Sequence, residues 1–136
     1  MARKTMKLMI PGPVEVDPKV LEALSKPVEP HYGDAWVEKY ARVIRILKQV
    51  FGIPDADYDV YLMVGSGTCA IDSCMSSSLL AGEKIIIGNN GFFGDRLVDI
   101  AQNNGLNVVQ VTGAWGSQLD PQAIREALTE NPDAKA

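Results

Sequence analysis

The chain has 136 residues, 46% hydrophobic and 22% charged, with 13 Lys and Arg against 17 Asp and Glu for a net charge of −4. That length suits one domain of ordinary size, roughly 100–200 residues, and the average apolar fraction without long charged runs disfavours disorder. A mildly acidic chain with scattered Lys and Arg has no basic footprint for nucleic acid and no charge attraction to anionic lipid.

The first thirty residues hold five of the eight prolines, in Ile10-Pro11-Gly12-Pro13, Asp17-Pro18 and Lys26-Pro27-Val28-Glu29-Pro30. Proline fixes φ and removes a backbone donor, so residues 1–34 are expected to be an extended arm with one short helix. Asp17 is the expected N-cap, Pro18 the first helical residue, and Val20, Leu21 and Leu24 the inward face. The only apolar patch near the start, Leu8-Met9-Ile10, stops at Pro11 and is too short for a secretory signal. Every other apolar run is also far below the ~18 residues of a membrane helix. The expectation is a cytoplasmic protein with neither a membrane nor a nucleic acid as partner.

From Ala35 to Phe51 the apolar residues Val37, Tyr40, Ile44, Leu47 and Phe51 recur at three and four, which predicts an amphipathic helix closed by Gly52 and Pro54. Tyr58 to Val64 reads as a first strand. Gly65-Ser66-Gly67-Thr68 follows, then a helix from Cys69 to Ala81 ended by Gly82. Lys84 to Ile87 is a second strand, Gly88 to Gly94 a glycine-rich loop, Asp95 to Asn104 a helix stopped by Gly105, and Asn107 to Thr112 a third strand. Asp120-Pro121 opens a last helix with Ile124, Ala127 and Leu128 inward. Strands alternating with helices predict an α/β fold with a mainly parallel sheet covered by helices on both faces. Another strand would be the natural continuation after Asn131-Pro132.

Two segments have the composition of a ligand site. Gly65-Ser66-Gly67-Thr68 combines glycines that admit close approach, two hydroxyls, and a helix start with unpaired N–H groups, so it suits a phosphate; the alternative is a tight turn in which Ser66 or Thr68 only caps the helix. With Cys69-Ala70 it satisfies G-x-G-x-x-A. The acidic residue that a dinucleotide site needs after the second strand is missing, and no Gly-Lys-Ser/Thr makes it a P-loop. Asn90-Gly91-Phe92-Phe93-Gly94-Asp95 places an aromatic pair at a strand's C-terminal end, where one ring could stack on a flat heterocycle or pack under the loop. No metal site is expected: His31 is the single histidine, and Cys69 and Cys74 lie five apart, on different faces of one helix, as two reduced thiols.

Taken together, Ile10-Pro11-Gly12-Pro13, Val64-Gly65-Ser66-Gly67-Thr68-Cys69-Ala70 and Gly88-Asn89-Asn90-Gly91-Phe92-Phe93-Gly94-Asp95-Arg96 resemble the class V aminotransferases of pyridoxal-phosphate fold type I, in the serine–pyruvate and alanine–glyoxylate branch. The resemblance covers the chain as the front third or so of a family member, with residues 35–136 as the first part of the cofactor-binding large domain. It implies pyridoxal 5'-phosphate as cofactor, bound by Ser66, Gly67 and Thr68 at its phosphate and by Phe93 at its ring, where the family often has Trp. The absence of a His after this strand argues against a cysteine desulfurase. Pro11 and Gly12 then line the substrate side, and His31 and Tyr32 belong to the loop that approaches the substrate site near the dimer interface. The implied reaction is transamination of serine or alanine with glyoxylate or pyruvate by a homodimer. The family's Schiff-base lysine, ring-nitrogen aspartate and carboxylate-binding arginine come later than the matched part, so no catalytic residue is assigned and the chain alone is expected to be inactive. Alternatives are the ureidoglycine–glyoxylate or aminoethylphosphonate branches, or a non-catalytic phosphate- or nucleotide-binding α/β module. The resemblance also implies a first strand paired to a later part of the chain, leaving apolar faces uncovered in these 136 residues.

Overall fold

The computed structural model describes residues 7–53 and 58–136, and contacts divide the chain into two units, Met1–Tyr61 and Leu62–Ala136. In the first, Asp17 caps α1 (Pro18–Leu24) by accepting from the Lys19 N–H at 2.8 Å, with Pro18 at the first position. The cap is as expected, but the inward face is not: Val20, Leu21 and Leu24 are exposed, because one seven-residue helix on a proline-rich arm has nothing to bury them. The amphipathic helix, α2 (Asp34–Phe51), ends at Gly52 in the left-handed region, φ 65°. There the Ile53 N–H reaches the Lys48 carbonyl at 3.0 Å and the Gly52 N–H the Gln49 carbonyl at 3.2 Å, a Schellman ending. Pro54, the other expected stop, lies outside the described residues. Ile44 and Leu47 are half-buried, whereas Val37, Tyr40 and Phe51 of the same stripe are exposed. Lys48 is buried in the last turn, where a cation suits the helix dipole, and pairs with Asp59 at 3.6 Å.

Tyr58 to Val64 forms no strand. Its β-branched and aromatic residues find no ladder partner among the described residues, and Tyr61, Met63 and Val64 stand exposed.

The second unit is a βαβ core. Strand β1 (Lys84–Asn89) pairs in parallel with β2 (Asn107–Thr112), Lys84 opposite Asn107 and Asn89 opposite Thr112. Between them runs α4 (Phe92–Asn103), and before them α3 (Gly67–Ser78). On one sheet face Ile85 and Ile87 pack with Val98 and Ala101 of α4, Leu79 after α3, and Leu106, with Met75, Leu97 and Val108 at the margin. Strand alternation turns Ile86, Gly88, Val109 and Val111 to the opposite face, where Gly88 lies against Leu119 and α5 (Pro121–Glu130) packs on both strands. A Cβ on Gly88 would fall 2.7 Å from the Leu119 Cδ1.

The α/β class, the parallel pairing and the helices on both faces match the sequence reading. Asp120 caps α5 as expected, but only Ala127 of its stripe is buried and Leu128 is exposed. Helix α3 stops at Ser78, three residues short of expectation, because Leu79 leaves helical geometry to enter the core; Gly82 serves the next turn instead, at φ 88°. Beyond α5 the backbone turns back onto β1, with the Lys135 N–H donating to the Lys84 carbonyl at 2.9 Å and the Ile86 N–H to the Ala136 carbonyl at 2.8 Å. Residues 135 and 136 thus lie against β1.

Candidate functional site

Two strand-to-helix junctions of the second unit have the residues for ligand chemistry. At the start of α3, Ser66 holds extended backbone while its Oγ accepts from the Cys69 N–H at 3.3 Å, and its carbonyl takes the Ala70 N–H at 3.1 Å. The capping role considered in the sequence is therefore filled by Ser66 and not by Thr68. The N–H groups of Gly67 and Thr68, and the Thr68 hydroxyl, have no acceptor or donor partner among the described residues. They stand at the positive end of a twelve-residue helix. A Cβ placed on Gly67 would meet nothing within 4 Å, so its approach is open, whereas one on Gly65 would strike the Cys69 Cβ and Sγ at 2.9 Å. Gly65 is thus required by packing and Gly67 leaves room for a ligand.

Ser66, Thr68, Cys69 and Asp72 form one wall of a cleft of about 660 Å³, with Arg96, Asp99, Ile100, Gln102 and Asn103 of α4 as the other. The Asn104 amide closes on the Asp72 carboxylate at 2.8 Å. Arg96 adds positive charge and the two aspartates negative charge, so selectivity for an anion rests on the backbone N–H groups.

The second junction departs from expectation in detail. Phe92 and Phe93 lie in the first turn of α4, not in a loop that ends at Gly94, because Gly91 serves as its N-cap and accepts the Asp95 N–H at 3.1 Å. Both rings are exposed, in an edge-to-face pair with centroids 5.6 Å apart. Neither has packed under the loop. Phe93 does not line the α3–α4 cleft.

Sequence reasoning passed over Asn89, which is buried at the end of β1. Its amide donates to Asp95 at 2.8 Å and to Gln110 at 3.3 Å, and its Oδ1 accepts the Gly91 N–H at 3.3 Å. The signal was the strand alternation itself, which puts an amide where Ile85 and Ile87 predict a third apolar residue. Next to it, the Asn90 amide donates to the Ser117 carbonyl at 2.7 Å.

The four residues expected on the substrate side belong to the first unit. Pro11 and Gly12 are exposed in the arm, with a cis bond from Gly12 to Pro13. His31 and Tyr32 are exposed, their rings edge to face at 5.8 Å. Among the described residues, no group of three or more His, Cys, Asp or Glu side chains could hold a metal ion, and no helix is long and apolar enough to cross a membrane. Cys69 and Cys74 are free thiols.

No protein-family profile matches the chain. It is 36% identical over 123 residues to the soluble hydrogenase 42 kDa subunit of Anabaena cylindrica, covering 90% of this chain and 31% of that protein. It is 30% identical over 131 residues to the serine–glyoxylate aminotransferase of Methylorubrum extorquens, covering 95% and 32%. Among solved structures, the ureidoglycine–glyoxylate aminotransferase of Bacillus subtilis matches with a TM-score of 0.79 at 28% identity, over 94% of this chain and 34% of that one. The chain spans about a third of the length of the curated relatives it matches.

Proposed function

We propose that this chain, a homologue of the class V aminotransferases of pyridoxal-phosphate fold type I, holds the cofactor's phosphate and covers its ring in transamination between a small amino donor and a 2-oxo acid. The observation that carries the reading is the pair of N–H groups on Gly67 and Thr68 at the head of α3, which have no partner among the described residues, beside the open approach at Gly67. Glyoxylate stands in the names of both the serine–glyoxylate and the ureidoglycine–glyoxylate enzyme, which supports glyoxylate, or its homologue pyruvate, as the acceptor here. Serine or alanine is the donor we favour, and a homodimer the working form.

Pyridoxal phosphate, the cofactor of this family, acts when bound as an electron sink at the donor's α carbon. The chain's own part is to hold and to cover. The Gly67 and Thr68 N–H groups donate to phosphate oxygens, and the helix dipole favours that negative charge. The Thr68 hydroxyl donates a further bond. Ser66 can do two things at once: its oxygen accepts the Cys69 N–H, while its O–H proton remains available to the phosphate. The exposed Phe93 offers a flat face against a heterocycle and keeps water from that side. Pro11, Gly12, His31 and Tyr32 are assigned to the substrate side. Proton transfer at the substrate is assigned to none of these residues.

The reading is tested by replacing Ser66 and Thr68 together with Ala in the complete enzyme and titrating pyridoxal phosphate. Charge-assisted hydrogen bonds contribute about 1.5–3 kcal/mol each, so cofactor affinity should fall at least about tenfold. Unchanged affinity would remove the phosphate assignment.

A further inference from the structure

We infer that Asn89 is a positioning residue for Phe93, and that the buried amide sets the angle at which the ring meets the cofactor; this rests on the reading that Phe93 covers the pyridine. A clamp brackets the aromatic pair. On one side of Phe92 and Phe93 the Asn89 Oδ1 accepts the Gly91 N–H at 3.3 Å, and on the other its Nδ2 donates to the Asp95 carboxylate at 2.8 Å. The side chain fills the space left by the missing Cβ of Gly94, whose ideal position lies only 2.2 Å from Oδ1. Gln110 of β2 holds the same amide at 3.3 Å, and the Asn89 carbonyl accepts the Gly113 N–H at 2.8 Å. The amide therefore ties the first turn of α4 to both strands.

Nothing else in that turn has comparable restraint. Both phenylalanines are two-thirds exposed and touch each other edge to face, so packing alone does not fix the ring direction. A buried amide with its donor and acceptor both used is also costly to replace, since any apolar substitute takes the acceptor from the Gly91 N–H and unties the turn from Asp95 and Gln110.

The test uses the complete enzyme with N89L, F93L, N89D and the exchange pair N89D/D95N. In the pair, the residue 95 amide donates to the residue 89 carboxylate, which still accepts from Gly91, and Gln110 turns its NH₂ inward. Two readouts are taken: hydrogen exchange across residues 91–95 in cofactor-free protein, and the visible absorption band of bound pyridoxal phosphate. N89L should speed exchange in that segment alone and move the band in the same direction as F93L, with N89D/D95N restoring both. If N89L does not fold, N89D against the pair makes the comparison, because two carboxylates then face each other in the single variant only. A band moved by F93L but identical in all folded Asn89 variants would overturn the positioning role and leave the stacking intact. A band indifferent to F93L would overturn the stacking reading, and the positioning role with it.

Discussion

Ser66 has two candidate roles, and a single substitution can separate them. Aspartate is as good an N-cap as serine, so Ser66→Asp should leave stability within a few tenths of a kcal/mol, whereas Ser66→Ala should lose about 1 kcal/mol with the cap. A carboxylate at that point repels a phosphate. Ser66→Asp should therefore weaken pyridoxal phosphate binding more than Ser66→Ala does, although it is the more stable of the two, as urea unfolding and cofactor titration would read. If both variants bind the cofactor equally well, Ser66 is a cap and nothing more. The hydroxyls and glycines of this segment were legible in the sequence because their chemistry is local. Asn89 was not, since its value comes from Gln110, twenty-one positions away, and from a gap at Gly94 that only the folded turn creates.

The elements obeyed their local signals wherever those signals were self-contained. Asp17-Pro18 and Asp120-Pro121 each opened a helix, and Gly52 closed one, because a cap needs only its own few residues. Tyr58 to Val64 had strand composition and made no strand, since a strand is completed by a neighbour. Beside β1, the segment after α5 is fixed by the Lys84 ammonium, which donates to Asn131 at 3.0 Å and Asp133 at 2.8 Å. The Lys84 hydrogen bond holds the Asp133 carboxyl below its ordinary value. A carboxylate with a lowered folded pKa contributes stability that is present above its unfolded pKa and lost as pH falls through the folded one. Asp133→Asn should therefore flatten the fall in stability below about pH 4, with Glu29, held low by Lys39, still titrating in both proteins. Urea midpoints at about pH 3 and pH 6 would read it, and identical slopes would mean that the Asp133 pair contributes nothing.

Large apolar side chains face outward: Tyr61, Met63 and Val64 before α3, Val37, Val50 and Phe51 on α2, and Leu24 on α1. Surfaces of this kind drive association. The isolated 136 residues should therefore show a mass that rises with concentration in sedimentation equilibrium and should bind a hydrophobic dye. A concentration-independent 14.7 kDa species that melts in one cooperative step would contradict this.

What the sequence determined by itself was the periodic and the local: the α/β alternation, the helix caps, and the Gly-Ser-Gly-Thr segment, whose N–H groups on Gly67 and Thr68, without a partner among the described residues, and two hydroxyls lie within three consecutive residues. Tertiary structure decided which apolar stripes are covered, that the Tyr58 to Val64 run stays unpaired, and that a buried amide braces the aromatic turn. Those outcomes depend on partners distant in the chain, and periodicity names the face that needs a partner without supplying one.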